Sequence, residues 1–230
     1  MSNSSTRADV EEQRRSLLAA AQHLAASGVM SKSLHGNWSA RIPGTDQILF
    51  TSGGSFAGLK PQDIAILDLE GNLVEGEVAP VFAEIIRMHT RVYQKREDVG
   101  SVLHTHSPFA TAYAVASRPI ECWSEAIARL GLTEPVPVAG YAPRGSEESV
   151  RNIVEAIGPE TKAVLLENHG ILAFNSDVQS TMMVQFALEE AAELGIYASA
   201  IGTPKLIPPE MARAAIMRAA DFAHAGPQRR

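Results

Sequence analysis

Apolar positions along the chain alternate between a helical and an extended period, and the changes of period divide it into elements. Over residues 8–27 they recur at helical spacing (Val10, Leu17, Leu18, Ala21, Leu24, Ala25), and Gly28 is a natural stop. Residues 31–37 read as a loop and 38–42 as a short strand. The sequence Pro43-Gly44-Thr45-Asp46 carries turn chemistry, so 47–51 is predicted to return as the second strand of a hairpin. Ser52-Gly53-Gly54-Ser55 breaks the pattern. Strands follow at 64–68 and near Leu73-Val74, around the turn Glu70-Gly71-Asn72. From 80 to 96 the spacing is helical again, with Val81, Ile85, Met88 and Val92 on one side and Pro80 in the first turn.

The stretch Ser101-Val-Leu-His-Thr-His-Ser-Pro108 reads as a buried strand running into a helix over 108–116. A loop with Cys122-Trp123, a short helix over 125–130 and a short strand over 136–138 come next. Ser146 with Glu147 and Glu148 marks a helix start, acids being favoured at the positive end of a helix, and Gly158-Pro159 ends it. Residues 162–167 form a buried strand, Asn168-His-Gly170 a tight turn and 171–174 the return. Asp177 caps a long helix to about 201, and a last helix covers 209–222. The pattern predicts a single α/β domain over 8–224, with a largely antiparallel central sheet covered by helices on both faces. Residues 1–7 and 225–230 read as disordered tails.

Bulk properties narrow the function classes. At 230 residues the chain can bury roughly 70–75 % of its unfolded surface as one domain. A net charge of -6 without a basic stripe argues against a nucleic-acid partner. No run approaches the ~20 apolar residues of a membrane span, and residues 1–15 lack the apolar core of a signal peptide, so a cytoplasmic protein is expected. Cys122, the only cysteine, allows no internal disulfide and reads as a packed thiol.

Candidate chemistry centres on His104 and His106. Alternate side chains of a strand share a face, so both imidazoles project to one side at the strand's end. Neutral imidazole is the commonest metal ligand, but a stable site needs three or four converging donors. His169, in Glu167-Asn-His-Gly170, is placed between two β-runs where Gly170 would permit a sharp reversal. Glu84 lies one turn into the helix that precedes the His-X-His strand. Three histidines and a carboxylate make a first shell for a divalent transition metal, with zinc, manganese and iron all compatible and the residues alone not choosing among them. Asn37, Ser52, Gly53 and Gly54 can present an anion-binding nest, or serve simply as turn residues. Arg41 and Lys60 are possible anion partners. His23, His35, His89 and His224 read as structural or surface histidines, and Tyr113 as a packed helix residue or a site residue.

Gly36-Asn37 before a strand, Thr51-Ser-Gly53 after one, Glu84 in a helix, His104-Thr-His-Ser107 and Asn168-His-Gly170 occur in an order and spacing that resembles the class II aldolase/adducin family, over roughly residues 17–200. The resemblance implies that His104, His106 and His169 ligate zinc and that Glu84 is the resting fourth ligand or the catalytic acid/base. It implies a Lewis-acidic metal that holds carbonyl and hydroxyl oxygens and stabilises the enediolate left when a C–C bond breaks. It also implies a small-molecule substrate and a homotetramer with sites at subunit boundaries.

The chain departs from the family's sugar-phosphate aldolases in three places. Their Ser-Ser before the glutamate is Phe82-Ala83 here, which offers no side-chain donor, although Asn37, Ser52 and Gly53 of the phosphate pocket are kept. Their tyrosine after the His-X-His helix falls by count at Glu125, beside Trp123. No tyrosine follows Tyr197. The expectation is a metal-dependent lyase working by retro-aldol cleavage on a non-standard substrate that need not be phosphorylated, with Asn37, Ser52, Gly53 and Glu125 at the substrate. Decarboxylation of a hydroxylated aromatic or heteroaromatic acid is the alternative and sugar epimerisation the third. A non-enzymatic adducin-like scaffold ranks last, since all four ligands are present.

Overall fold

The helix starts show how local sequence sets the architecture of the computed structural model, which describes residues 7–52 and 54–224. The first N–H groups of a helix have no partner within it, and side-chain oxygens supply one. Ser146 Oγ accepts from Ser149 N at 3.0 Å and opens α5 (Glu147–Ala156). Asp177 Oδ1 accepts from Ser180 N at 2.8 Å and opens α6 (Val178–Ile201). The other helices are α1 (Arg7–Ala26), α2 (Ala83–Lys95), α3 (Pro108–Val115), α4 (Glu125–Arg129) and α7 (Pro209–His224). Arg7, expected in a tail, is the first residue of α1. Residues 1–6 and 225–230 lie outside the described residues.

The strands are β1 (Gly36–Arg41), β2 (Gln47–Thr51), β3 (Ile64–Asp68), β4 (Leu73–Glu75), β5 (Ser101–Thr105), β6 (Val138–Ala139), β7 (Ala163–Leu166) and β8 (Gly170–Asn175). They form one eight-stranded sheet in the order β4-β3-β2-β1-β5-β8-β7-β6. Every pairing is antiparallel except β6 with β7. The fold is therefore α/β with a largely antiparallel sheet.

Period-two alternation sorts side chains to two layers. Trp38, Leu49 and Leu103 pack with α1 on one face, where α6 adds Met182. Phe50, Val102, Leu172 and Phe174 pack with α2 and α5 on the other. A third cluster joins α3, α4, α6 and α7 to β7 and β8. The strand that carries the paired histidines is thus interior, hydrogen-bonded on both edges to β1 and β8. Such placement limits how far its end can move.

Two details differ from expectation. The helix predicted from residue 80 begins as a 3-10 turn, Pro80–Phe82, and becomes α-helical at Ala83, which puts Glu84 in the first α turn. The strand predicted over 136–138 shifts to Val138–Ala139, while Val136 makes an isolated bridge to Ile120. Pro137 has no N–H to offer a ladder, which is why the strand starts after it.

Candidate metal centre and active site

β5 runs between β1 and β8 with Asn37 opposite His104 on one side and Leu172 opposite it on the other. His104 faces the α2/α5 layer, and the next residue, Thr105, faces α6. There the Thr105 hydroxyl donates to Gln185 Oε1 at 3.1 Å, and Gln185 Nε2 donates to Ser107 Oγ at 2.7 Å. The start of α3 is held by the same helix. Phe109 and Ala110 N–H groups both donate to the Glu189 carboxylate at 2.8 Å, and a negative group is favoured at a helix N-terminus. Burial pushes the Glu189 carboxyl up. The strand end that carries His106 is therefore braced from behind by buried polar side chains of α6.

On the front face three imidazoles meet. The ligating atoms of His104, His106 and His169 all lie within 4.8 Å of one another. His104 Nδ1–H donates to the Ile171 carbonyl at 2.9 Å, which leaves Nε2 as the free nitrogen. That Nε2 is 3.2 Å from His106 Nε2. The edge of a tetrahedron with Zn–N bonds of about 2.0–2.1 Å is about 3.3 Å, so the spacing suits two ligands of one ion. Burial, then the nearby His169 and His106, hold His104 well below the usual imidazole range. Burial, then His106 and Arg144, push His169 down to about 4. Burial also lowers His106. All three rings are neutral at pH 7 with lone pairs available, as metal ligation requires. The residues present fit a divalent transition metal, and the carbonyl partner on His104 Nδ1 is the usual support for such a ligand.

Gly170 is needed at this point for space. The sequence suggested a glycine-permitted reversal, but the left-handed residue of the turn is Asn168, with φ 57°. Gly170 is already in β8, where a Cβ would stand 2.5 Å from the Thr105 carbonyl oxygen and 3.2 Å from the His106 ring.

The histidines line a cavity of about 540 Å³, a size typical of small-molecule sites. Glu84 is on its wall, outside the imidazole cluster. Its Oε2 is 3.6 Å from Arg144 Nε, and its carboxylate lies against the Cα of Gly145. Val81, Phe82, Ile85 and Met88 form an apolar wall. Asn37 lines the cavity with Oδ1 taken by His89 Nε2 at 2.6 Å.

Two expected substrate residues lie elsewhere in the chain. The Ser52 hydroxyl donates to the Asp63 carbonyl at 3.0 Å, closing its own loop, and does not line the cavity. Glu125 opens α4 on the surface, paired with Arg129 at 2.7 Å, away from the cavity. Trp123 beside it donates Nε1–H to the Ala191 carbonyl at 2.7 Å. Gly53 lies outside the described residues, although its neighbour Gly54 lines the cavity. Arg41 is held by Tyr93, stacking over its ring at 5.0 Å. Sequence reasoning did not single out Arg144 and read His35 as structural or surface, and both line the cavity. The signals were there, since Arg144 precedes a Gly-Ser helix start and His35 precedes Gly36-Asn37.

Comparison with known proteins agrees with this geometry. The family model described as Class II Aldolase and Adducin N-terminal domain matches residues 15–196. The chain belongs to that family. It is 32% identical over 202 residues to a 5-deoxy-D-ribulose 1-phosphate aldolase of Bacillus thuringiensis serovar kurstaki, covering 86% of this chain and 91% of that one. A 5-methylthioribulose-1-phosphate/5-deoxyribulose-1-phosphate aldolase of Rhodospirillum rubrum is 32% identical, with 85% of each covered. Among solved structures, an L-fuculose 1-phosphate aldolase superposes with a TM-score of 0.81 at 30% identity, covering 90% of this chain and 95% of that one. No described helix is long and apolar enough to cross a membrane.

Proposed function

We propose that the chain is a metal-dependent carbon–carbon lyase that cleaves a ketose 1-phosphate, deoxygenated at its far end, by a retro-aldol reaction. The observation that carries the reading is the convergence of three neutral imidazoles on a cavity whose wall holds a carboxylate, Glu84. The relatives named for 5-deoxy ketose phosphates support a phosphorylated substrate, against the expectation drawn from Phe82 and Ala83. Phe82, which lines the cavity where Ala83 does not, suits the deoxygenated end. With Val81, Phe82 makes an apolar wall for a methyl group, where a hydroxyl would lose its hydrogen bonds.

His104, His106 and His169 hold the ion. When bound, a divalent metal, zinc first and manganese, iron or cobalt next, supplies a Lewis acid for adjacent carbonyl and hydroxyl oxygens. With 5-deoxy-D-ribulose 1-phosphate the C3–C4 bond breaks, the C4 hydroxyl loses its proton, and C3 gains one. The products are acetaldehyde and dihydroxyacetone phosphate. Glu84 moves that proton, and Arg144 orients its carboxylate across the cavity. The assembly is a cytoplasmic homotetramer with sites at subunit boundaries, a reading supported by Ile201 and Met217, 91% and 71% exposed on α6 and α7.

The test is a panel of ketose 1-phosphates and hydroxylated aromatic acids with metal-loaded protein, scored for aldehyde and for CO2. Aldehyde release from a ketose phosphate is expected. Release of CO2 without aldehyde, or inversion of a stereocentre without cleavage, overturns the proposal.

A further inference from the structure

Behind Asn37 runs a row of buried polar groups that does not line the cavity. His89 Nε2 meets Asn37 Oδ1 at 2.6 Å, His89 Nδ1 meets Ser39 Oγ at 2.7 Å, and Ser39 Oγ meets the Tyr93 hydroxyl at 2.8 Å. His89, Ser39 and Tyr93 are at most 1% exposed. The sequence places them together for a simple reason. Asn37 and Ser39 alternate onto the α2 side of β1, and His89 and Tyr93 are four residues apart on the buried face of α2.

The direction of these hydrogen bonds can be worked out. A buried hydroxyl hydrogen needs an acceptor. Among the described residues, the hydrogen-bond partner of the Tyr93 hydroxyl is Ser39 Oγ at 2.8 Å, so the buried phenol hydrogen has its acceptor there. Tyr93 therefore donates to Ser39, and the Ser39 hydrogen goes to His89 Nδ1. His89 is neutral, since complete burial pushes it down to about 3, so its one proton is on Nε2 and is given to Asn37 Oδ1. The Asn37 carbonyl oxygen is then engaged, and the amide's NH2 is left for the cavity.

We propose that the series Tyr93–Ser39–His89 locks the Asn37 amide with its NH2 group turned into the cavity, so that Asn37 can act only as a donor, to an oxygen anion of the bound substrate. His89 is a positioning residue in this scheme. A reversed amide would set two donors against each other at His89 and turn an acceptor toward the anion, so the lock also selects ligand charge. The inference rests on the reading of the cavity as a substrate site. Phosphate and carboxylate are the two sources of such an anion.

The test uses the zinc-loaded full chain with inorganic phosphate and glycolate as probes. Ring nitrogen resonances of His89 give its tautomer, and calorimetry gives both affinities for the wild type, Asn37→Asp, His89→Leu, His89→Gln and Tyr93→Phe. Because zinc is common to all these proteins, it cancels from the comparison. His89 is expected to carry its proton on Nε2. Asn37→Asp and His89→Leu should weaken binding by about tenfold or more at unchanged zinc content, the worth of a hydrogen bond to a charged group. His89→Gln, which can still donate to Asn37, should restore binding to within about threefold, whereas a mere packing role would be served as well by leucine. Tighter binding of phosphate or of glycolate identifies the source of the anion. If His89→Leu does not fold, the tautomer and Tyr93→Phe, expected to be severalfold weaker, still decide. A proton on Nδ1, unchanged affinities in the His89 and Tyr93 variants, or a wild type that binds neither probe overturns the proposal. Missing turnover with these results intact would count against the lyase reading alone.

Discussion

Replacing Gly170 with alanine tests the packing that brings the three imidazoles together. The added Cβ would stand 2.5 Å from the Thr105 carbonyl oxygen, 3.2 Å from His106 Cδ2 and 3.4 Å from His104 Cε1. An ordinary carbon–oxygen contact is about 3.3 Å or more, so roughly 0.8 Å must be recovered by movement. The closest obstacle is main chain, in a strand hydrogen-bonded on both edges, and it cannot rotate away. Gly170 is not in the left-handed region, so alanine's own backbone preference adds nothing. Overpacking of this kind costs about 1–3 kcal/mol, and the rigid obstacle argues for the upper part of that range. Metal–ligand distances tolerate only about 0.2 Å, so zinc affinity should fall by 10–100-fold or more, on the order of what losing a supporting residue does. Urea titration of the metal-free protein reads the first effect, and competition with a chromophoric chelator reads the second. A Gly170→Ala protein with both wild-type stability and wild-type zinc affinity would refute the reasoning.

Gly145→Ala should act on the carboxylate and leave the metal in place. Its Cβ would overlap the Glu84 side chain, and φ there is 80°, so Glu84 must leave its position beside Arg144. We expect kcat to fall by at least about tenfold at unchanged zinc content, with equal loss of both sinking the assignment of Glu84 as proton carrier. Glu84→Gln should likewise lose turnover more than metal, as measured by elemental analysis beside initial rates; parallel losses would make Glu84 mainly a ligand. For pH dependence, His89 falls from the ordinary 6.5 to about 3 in the folded chain, so the unfolded chain takes up the proton first. Its contribution is complete above pH 6.5 and is lost as pH drops toward 3, with a slope approaching about 1.4 kcal/mol per pH unit. Denaturation of wild type and His89→Gln across that range should give curves that diverge upward with pH, and parallel curves would contradict the buried neutral imidazole.

The elements were readable wherever one local signal decided them. Ser146 and Asp177 cap the helices they were expected to cap, because a side-chain oxygen three residues before an N–H is a property of the chain itself. His104 and His106 share a face because a strand alternates. What escaped the sequence depends on partners far along the chain. His89 looked like any helix histidine until β1 placed Asn37 and Ser39 opposite its two nitrogens. Gly170 looked like a turn residue, although Asn168 takes the left-handed backbone and Gly170 is required by the β5 carbonyl beside it. Glu125 was assigned to the substrate by counting from a family pattern, and counting cannot show that α4 turns its first residue outward to Arg129. The two residues Phe82 and Ala83 weighed against phosphate when read alone. With the cavity in view, Phe82 joins Val81, Ile85 and Met88 in an apolar wall, and Ala83 does not line it.

The metal content of the chain is the most direct test of the account. Protein purified without added metal and measured by elemental analysis should hold about one divalent transition metal per chain, and His169→Ala should hold almost none while keeping its secondary structure. Wild-type protein that neither retains nor takes up such an ion, or a His169→Ala protein that holds as much as wild type, would contradict the three-histidine centre.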